Sequence, residues 1–436
     1  MNQITEHTKL PEEFLNRMKK MLQEEFEDFY QSYQNPRTYG LRVNTSKITC
    51  EEFEKIYPVS KDIRIFSAPG RTEVGGNHTD HQHGSVLAGG VNLDVIAIVS
   101  ENDDNTVRIK SQGYDMDVID LSDLSADDKQ KGQAIALIKG VLYKFSELGH
   151  KIGGFNAYTT SNVLKGSGLS SSAAFEVLVG NIVNGLFAND SVSAIEIAKI
   201  GQFAERDYFG KPCGLLDQMA SSLGGFTYAD FNNPTDPVTE KIDLDIKKYG
   251  YTLCVVDTGG NHANLTQDYA DITIECKQIS NALGVEFLRD ADTDRFYNSL
   301  AELRKEYGER AVLRAFHFFN EQERVLKQRE CLKQGKFEDF LNLVNESGQS
   351  SYDYLQNLYS TTAVKEQGLS LAIALTKQFL NGKGACRVHG GGFAGTIQCY
   401  IPTERLSEYK QMIEKCYGEN SCCVLNIRPV GGYEIK

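Results

Sequence analysis

Residues Lys165–Ala174 have the sequence KGSGLSSSAA. It lies between a predicted strand at Gly154–Thr160 and a predicted helix at Ala173–Leu186. A glycine- and serine-rich turn between a strand and a helix is typical of anion-binding loops, because the first backbone N–H groups of a helix have no intrahelical partner. The stretch therefore predicts a strand–loop–helix unit with a ligand site at its turn.

The residue types of this loop favour a phosphate chain as the ligand. Gly166 and Gly168 allow the backbone to approach a ligand closely, and the three serines 170–172 offer hydroxyl groups at the start of the helix. The loop has neither the GKS/T of a Walker A sequence nor the GxGxxG of a dinucleotide-binding turn. A serine-capped helix after a glycine turn gives the same pattern without a ligand. The loop alone leaves both interpretations open.

A second polar segment, RTEVGGNHTDHQHG, occupies residues 71–84 and allows three interpretations. The first is a binuclear metal site like that of a hydrolase, with ligands from His78, Asp80, His81 and His83 and further candidates at His262, His317 and His389. The second is a sugar site, in which Asp80 and His78 bind neighbouring hydroxyls and Arg71 faces a phosphate. The third is a solvated surface loop. Local composition does not choose among them.

The composition excludes several functional classes. The 436 residues suit two domains and an appendage. The net charge of −13 gives no general attraction to nucleic acid or to anionic membranes, so a bound phosphate needs a local positive group. No apolar run is long enough to span a bilayer, and the polar segment Met1–Lys9 does not resemble a signal peptide. We therefore expect a cytoplasmic protein whose ten cysteines are reduced thiols, with no nucleic-acid or membrane partner.

The first 57 residues predict an N-terminal appendage. Leu10–Gln34 is predicted to be an amphipathic helix whose apolar stripe recurs every three or four residues. Asn35–Pro36 ends this helix, and Cys50–Tyr57 predicts a second, short helix before Pro58. The binding partner of the appendage cannot be read from its sequence.

Beyond residue 62 the pattern predicts a mixture of strands and helices. The segment 68–84 is predicted to be a loop, and Ser85–Ser100 a long strand-rich stretch. Further predicted strands are Ile63–Ser67, Val107–Lys110, Asp117–Asp120, Tyr251–Asp257 and Thr396–Ile401. Further predicted helices are Gln133–Leu148, Val192–Tyr208, Ile272–Ala282, Glu309–Gln334 and Ser370–Leu380.

Three motifs occur in a fixed order along this part of the chain. They are APGR…GNHTD at residues 68–80, GSGLSSS at residues 166–172 and GGGFAG at residues 390–395. Together they resemble the motifs of the galactokinase branch of the GHMP kinases, over about residues 62–436. Shorter matches lie between them: Ala204-Glu205, Cys213–Gln218, Asn261-His262 with Tyr269, and Arg314, His317, Glu321 and Arg324. The order and number of these matches weaken the metal-hydrolase interpretation.

The resemblance implies a fold and a function. The expected fold is α+β, with residues 58–240 forming a domain like ribosomal protein S5 domain 2 and residues 241–436 a ferredoxin-like domain. The expected function is that of an ATP-dependent sugar 1-kinase acting on galactose or a close relative, with magnesium. The alternatives are a kinase for a C6-modified sugar such as galacturonate, and a galactose- and ATP-binding sensor without activity. The intact Ser172-Ala173, Arg71 and Asp217 favour catalysis.

The resemblance also implies roles for individual residues. Asp217 matches the catalytic aspartate beside the anomeric hydroxyl, and Arg71 matches the arginine that contacts it. Ser172 and Glu205 match ligands of magnesium. The positions that match the sugar site are Asn77, His78, Asp80, Gly214 and Tyr269. The positions that match the ATP phosphate loop are Gly166, Ser167, Gly168, Leu169, Ser170, Ser171 and Ser172.

Three positions depart from the family pattern. Asn77 replaces an acid that receives a hydrogen bond from the sugar 6-hydroxyl in the family, Glu73 replaces a common Asn, and His389 replaces a small residue. Because an amide both donates and accepts, Asn77 predicts looser selectivity at C6.

The appendage carries a resemblance of its own. LPEEFLNRM from residue 10 and YGLRVNT from residue 39 resemble the N-terminal segment of bacterial rRNA cytosine methyltransferases, over about residues 10–56. No methyltransferase domain follows. We expect the segment to act as a cap on the kinase body rather than as a docking piece, because its apolar stripe needs a surface to cover.

Overall fold

The computed structural model describes residues 50–58, 62–163, 168–260 and 265–435, together with Lys19 and Phe26. The chain divides into two compact units, Met1–Thr45 and Ser46–Lys436. The predicted helix Leu10–Gln34 lies outside the described residues, apart from Lys19 and Phe26, which are both helical. The account below therefore concerns the larger unit.

Eight strands of the larger unit form one sheet, in the order β12-β1-β2-β5-β3-β4, with β6 pairing to β2 and β7 pairing to β6. All neighbours in this sheet are antiparallel except β3 and β5, which are parallel. The bounds are β1 Arg64–Gly75, β2 Ser85–Glu101, β3 Thr106–Ser111, β4 Met116–Asp120, β5 Phe155–Ser161, β6 Phe226–Asp230, β7 Val238–Ile242 and β12 Tyr433–Ile435. The sheet thus joins the first strand of this unit to the last.

Helices cover this sheet and build its core. Their bounds are α1 Cys50–Ile56, α2 Ala134–Glu147, α3 Ser171–Phe187, α4 Ala194–Phe203 and α5 Leu216–Leu223. Helix α3 is buried over most of its circumference and packs against β1 and β2 through side chains such as Val177 and Ile182. A helix that is apolar on nearly all sides belongs inside a protein. Its N-terminus is therefore held rigidly next to the phosphate-loop sequence.

A second sheet is wholly antiparallel, in the order β11-β8-β10-β9. Its strands are β8 Tyr251–Asp257, β9 Ala385–His389, β10 Thr396–Pro402 and β11 Cys422–Leu425. The remaining helices are α6 Thr266–Ala282, α7 Thr293–Asn298, α8 Leu300–Tyr307, α9 Glu309–Lys333, α10 Phe337–Ser350, α11 Gly368–Leu380 and α12 Leu406–Tyr417. The loop between β9 and β10 carries the third glycine motif. None of the helices in the described part of the chain combines the length and the apolar character that a bilayer crossing demands.

The structure differs from the predicted loop at residues 68–84. Strand β1 continues to Gly75, and its pairing with β2 shifts register between Pro69 and Arg71 and again between Glu73 and Gly75. A register shift of this kind re-aims side chains along a strand. Arg71 and Glu73 therefore project from a paired strand with a fixed direction, rather than from a loop.

Helices or strands of the larger unit lie at both predicted domain boundaries. Strand β7 runs through residue 240, where the sequence predicts the junction of two domains, and its pairing places it in the first sheet. Helix α1 belongs to the larger unit, where Phe53 and Tyr57 are buried and the Tyr57 hydroxyl donates to the Ala157 carbonyl at 3.2 Å. The division at residues 57 and 240 stays a prediction.

Candidate active site

The Asp217 carboxylate is the centre of the site. It lies in the first turn of α5, and its Oδ1 accepts a hydrogen bond from Arg71 Nε at 2.6 Å. Its Oδ2 accepts one from Ser170 Oγ, also at 2.6 Å. Arg71 comes from β1 and Ser170 from the turn before α3, so three separate elements meet at one carboxylate. Charge-assisted bonds of this length are among the stronger ones in proteins.

The surrounding charges decide the protonation state of Asp217. Burial by itself raises the pKa of this carboxyl, but Arg71, Lys211 and the Ser170 hydroxyl outweigh burial and hold the pKa below its ordinary value. Asp217 is therefore ionised throughout the neutral range. An ionised carboxylate can accept a hydrogen bond or a proton from an incoming hydroxyl group.

The turn before α3 is built around unusual backbone conformations. Ser170 has a φ of 56° and Gly168 a φ of 70°. The left-handed conformation is uncommon for a residue with a Cβ and marks stored backbone strain. The Gly168 carbonyl accepts a hydrogen bond from Arg71 Nη1, and the Leu169 carbonyl accepts one from the Arg71 N–H at 3.0 Å. Arg71 thus fixes the turn and the carboxylate together.

A second buried acid, Glu205, lies beside the same helix start. It belongs to a single π-helical turn, Ala204–Tyr208, that follows α4, and its side chain is 1% exposed. Its Oε1 accepts hydrogen bonds from Ser172 Oγ at 2.9 Å and from Lys211 Nζ at 2.8 Å, and its Oε2 accepts one from Gln218 Nε2 at 2.7 Å. Carboxylate and hydroxyl oxygens are the donors that Mg²⁺ prefers, so Ser172 and Glu205 fit a magnesium ion chemically.

Asp80 approaches the site from a short 3₁₀ turn, Asp80–Gln82. Its Oδ1 accepts a hydrogen bond from the His81 N–H at 2.9 Å. Burial, together with the negative charges of Asp217 and Glu73, raises the pKa of Asp80 to about 6. A Cβ at position 214 would lie 1.6 Å from Asp80 Oδ2. Gly214 is therefore required by Asp80, which explains why these two predicted sugar-site residues occur together.

His78 and Tyr269 are brought together by the third glycine motif. His78 Nε2 donates to the Gly391 carbonyl at 2.9 Å, and the Tyr269 hydroxyl donates to the Gly392 carbonyl at 2.8 Å. A Cβ at Gly391 would lie 2.5 Å from the Tyr269 ring. Burial lowers the pKa of His78 to about 4, so its imidazole is neutral at neutral pH. The backbone of this motif therefore orients two predicted sugar-site side chains.

Asn77 has a setting that the sequence does not predict. Its side chain is fully buried, and its Nδ2 donates to Glu73 Oε1 at 2.9 Å and to the Gly390 carbonyl at 2.8 Å. Its Oδ1 accepts from Asn357 Nδ2 at 2.9 Å and from Ser351 Oγ at 3.3 Å. These four bonds use the whole hydrogen-bonding capacity of the amide. In this structure all polar atoms of the Asn77 amide have partners within the protein, and its contact with a sugar hydroxyl stays a prediction.

Several predicted residues lie outside the described part of the chain. These are Gly166 and Ser167 of the phosphate loop and His262 of the metal-site alternative. Within the described residues, no group of three or more His, Cys, Asp or Glu side chains is arranged to hold a metal ion. Leu169 is buried, and Ser171 begins α3. Of the predicted phosphate loop, the structure therefore describes Gly168–Ser172.

Comparison with known proteins agrees with this geometry. The model of the GHMP kinases N terminal domain matches residues 136–225, which include the phosphate loop and Asp217. The galactokinase of Actinobacillus pleuropneumoniae serotype 3 is 30% identical over 376 residues, which cover 85% of this chain and 93% of the relative. The chain belongs to the galactokinase family. The galactokinase of Lactobacillus helveticus is also 30% identical, with coverage of 84% of this chain and 94% of the relative.

The fold is that of the family as well. The crystal structure of Lactococcus lactis galactokinase complexed with galactose matches with a TM-score of 0.77 at 22% identity, covering 90% of this chain and 99% of that one. The GHMP kinase fold predicted from the sequence is thus confirmed. The N-terminal domain model of the 16S rRNA methyltransferase RsmF matches residues 10–87, which confirms the second resemblance and extends it into β1 and β2. Kinases of this family are phosphotransferases that use ATP and act on a sugar hydroxyl.

The two other departures from the galactokinase-family pattern lie in one buried network. Glu73 forms an ion pair with Arg387, and it also accepts the hydrogen bond from Asn77. His389 Nε2 accepts from the Glu73 N–H at 3.2 Å, so its Nδ1 carries the proton and donates to Thr396 Oγ1 at 3.0 Å. The Glu73 carboxylate thus lies between the Asn77 amide and the Arg387 guanidinium. These contacts join β1 to the second sheet, because Arg387 and His389 belong to β9.

Helix α9 supports the same loop through the spacing 317, 321 and 324. His317 Nε2 donates to the Asn77 carbonyl at 2.9 Å, and Glu321 accepts from the Gly76 N–H at 3.1 Å. Glu321 is buried, and burial raises its pKa, but neighbouring groups, of which Arg324 has the largest effect, together outweigh burial and lower the pKa to about 2. Residues four apart lie on one face of a helix. The matched residues of this motif therefore position the backbone at Asn77.

The sequence did not indicate that Lys211 and Glu176 lie at the site, or that Ser170 donates a hydrogen bond to Asp217. Glu176 Oε2 accepts from Gln218 Nε2 at 2.9 Å, which links it to Glu205, and its pKa is raised by burial and by the charge of Glu205. The available signal for Lys211 was its place two residues before the matched segment Cys213–Gln218. Glu176 had no such signal, since within α3 it looks like an ordinary polar helix position.

Proposed function

We propose that this chain transfers the terminal phosphoryl group of ATP to the anomeric hydroxyl of galactose or a closely related sugar. The observation that carries the proposal is the Asp217 carboxylate, held at 2.6 Å from both Arg71 Nε and Ser170 Oγ. Phosphoryl transfer depends mainly on positioning and on charge stabilisation. An ionised acid next to a buried guanidinium supplies both, because the acid orients the hydroxyl and the guanidinium meets the negative charge.

The proposed reaction assigns a role to each side chain of this centre. The sugar oxygen forms a bond to the terminal phosphorus, and the bond from that phosphorus to the bridging oxygen of ATP breaks. The hydroxyl proton leaves toward Asp217, which serves as a general base or as an orienting acceptor. Arg71 stabilises the charge that develops on the transferred group.

The N-terminus of α3 is proposed to bind the phosphates of ATP through residues 166–172. Support comes from the left-handed turn at Gly168 and Ser170, which exposes the start of a buried helix to a ligand. Ser172 and Glu205 are proposed to hold magnesium, because both offer hard oxygen donors next to that turn. When bound, magnesium neutralises charge on the phosphate chain.

The sugar is proposed to contact His78, Asp80, Gly214 and Tyr269. Asp80 and the neutral His78 offer hydrogen bonds to hydroxyl groups, and Gly214 leaves room beside Asp80. Asn77 is not included, because its amide is satisfied within the protein. We also propose a cytoplasmic location, which the free thiols of the described cysteines favour.

An ATP-coupled assay over several sugars tests this function. The panel contains galactose, galacturonate, galactosamine, glucose and mannose, with product analysis to identify the phosphorylated hydroxyl. We expect galactose to be phosphorylated at the anomeric position. Efficient turnover of galacturonate in its place would favour the C6-modified alternative. ATP binding without turnover of any sugar would favour the sensor.

A further inference from the structure

Lys211 lies where no assigned function requires a lysine. It belongs to the segment between the π-helical turn at Ala204–Tyr208 and helix α5, which carries Asp217. Its Nζ is 2.8 Å from Glu205 Oε1. The side chain is 53% exposed, whereas Glu205 is 1% exposed. The lysine therefore extends from the surface into the site, with its charged end at a buried carboxylate.

The charge of Lys211 acts on more than its ion-pair partner. Burial works to lower the pKa of Lys211, but the negative charges of Glu205 and Asp217 outweigh it and raise the pKa above its ordinary value. In turn, Lys211 is one of the groups that lower the pKa of Asp217. The geometry points the same way, because Lys211 Nζ and Ser172 Oγ bind the same oxygen of Glu205, at 2.8 Å and 2.9 Å, which places the ammonium group next to the start of α3.

The ion pair with Glu205 uses one of the three N–H donors of Lys211. The Glu205 carboxylate already accepts hydrogen bonds from Ser172 and Gln218. A half-exposed lysine keeps a long, rotatable chain and three donors, which suits a group that changes partners. The protein as a whole carries a charge of −13, so a phosphate chain needs local cations to enter this site. Within the described residues of the site, the cations that act on Asp217 are Arg71 and Lys211.

We propose that Lys211 is a second phosphate-contacting cation of the active site. It pairs with Glu205 in the absence of nucleotide and donates to the phosphate chain of ATP when nucleotide binds. In both states Lys211 acts through its charge and its N–H groups, as a complement to Arg71. This inference rests on the proposed function, since it assumes that the phosphates of ATP lie at the start of α3.

The test compares three variants with the unaltered chain. Lys211→Met removes the charge and keeps the length of the side chain, and Lys211→Arg restores a charge. Lys131→Met is the matched control, because Lys131 is 52% exposed and is ion-paired to the exposed Asp128 at 2.7 Å. Binding of a non-hydrolysable ATP analogue is measured by calorimetry, with magnesium and with a chelator. The melting temperature, kcat and the KM for sugar are measured in parallel.

We expect Lys211→Met to weaken analogue binding by about tenfold or more, both with magnesium and with the chelator, as for loss of a charge-assisted hydrogen bond. We expect kcat to fall by about tenfold or more and the KM for sugar to change less than about twofold. Lys211→Arg should recover most of the analogue affinity, and Lys131→Met should match the unaltered chain. These results together would establish a phosphate contact.

Two results would overturn the inference. One is unchanged analogue affinity and kcat in Lys211→Met. The other is tighter magnesium binding with unchanged nucleotide affinity, which would make Lys211 only a counter-ion of Glu205. The proposed function fails separately, if the unaltered chain phosphorylates no sugar. In that case the calorimetry of the Lys211 variants still decides whether the lysine contacts phosphate.

Discussion

Two neighbouring regions of the site control charge in opposite ways. The acid–cation cluster consists of Arg71, Ser170, Glu205, Lys211 and Asp217, and in it each carboxylate is paired with a cation, which for Asp217 holds the pKa below its ordinary value. The hydroxyl-facing loop consists of residues 77–81, and in it burial drives side chains toward their neutral forms. Burial lowers the pKa of His81 to about 3 and of His78 to about 4, and it helps raise that of Asp80 to about 6.

The difference follows from what each region has to bind. A phosphate chain and a reacting hydroxyl call for fixed charges whose partners are already in place. A neutral sugar calls for hydrogen-bond donors and acceptors, and a neutral imidazole offers one of each. The cluster draws its side chains from β1, from the turn before α3, from the segment between α4 and α5, and from α5. The loop is held by the backbone of residues 390–392 and by α9. The variants below test whether the acid–cation cluster works through charged side chains and the hydroxyl-facing loop through neutral ones.

The largest effect is expected from Asp217→Asn. The variant keeps the size of the side chain but loses the ionised acceptor that Arg71 and Ser170 align. We expect kcat to fall by about a thousandfold, within the range for loss of a positioned acid or base. Affinity for a non-hydrolysable ATP analogue should change by less than about threefold. Coupled kinetics and calorimetry provide these measurements.

The contrast between the two regions holds for Asp217→Asn only if kcat falls while the affinity for the ATP analogue is kept. Lys131→Met, which alters an exposed ion pair, serves as the surface control. Turnover of Asp217→Asn within about tenfold of the unaltered chain would mean that the cluster is not the reacting centre.

A smaller effect, on stability, is expected from Asn77→Glu. The new carboxylate would face the Glu73 carboxylate and the Gly390 carbonyl in a fully buried position. We expect the free energy of unfolding to fall by about 2–4 kcal/mol, because a buried charge would lack a partner. The exchange Glu73→Asn with Asn77→Glu again places one acid and one amide beside Arg387. The double variant should therefore lose less free energy of unfolding than the two single variants lose together.

Urea unfolding of the four chains in this cycle measures the coupling between positions 73 and 77. Additive losses would show that the two residues act independently. In that case the exchanged acid and amide would not explain how the loop tolerates Asn77.

The smallest effect is expected from Asp80→Asn, as a dependence of stability on pH. The pKa of Asp80 is raised from 3.8 to about 6 in the folded chain, so the folded state binds more protons than the unfolded state between these values. Ionised Asp80 therefore destabilises the fold fully above pH 6, and less as the pH falls toward 4. We expect Asp80→Asn to raise Tm by about 1–3 °C at pH 8 and by less at pH 5.

The same variant should weaken sugar binding, since an amide replaces a carboxylate acceptor in the hydroxyl-facing loop. Thermal melts at pH 5, 6.5 and 8, together with the KM for sugar, separate the two effects. A lower Tm at pH 8 would indicate that Asp80 stabilises the fold as an anion, contrary to the proposed division of charge.

Much of the fold and site could be predicted from the sequence. The order of three glycine-containing motifs indicated the family, and most of the helices and strands predicted from residue 85 onward lie within a few residues of observed elements. The pattern did not predict several other elements, among them α5, which carries Asp217, and β9, which precedes the third glycine motif. The loop prediction at residues 68–84 was wrong at its start, because β1 runs to Gly75 through two register shifts that a local pattern does not encode. The hydrogen bonds of Asn77 could not be predicted for a similar reason, since its partners Gly390 and Asn357 are distant in sequence.

The amino-acid sequence specifies which chemical groups are present and their order along the chain: a phosphate-loop turn, an arginine, two acids and a histidine-containing segment. It does not specify which charged side chains pair with each other. The ion pairs form only in the folded chain, between Arg71 and Asp217, Lys211 and Glu205, and Arg387 and Glu73. The physical reason is that burial and hydrogen-bond saturation depend on contacts between distant segments. The same amide can therefore face a ligand or be consumed by the protein, and only the folded chain distinguishes the two.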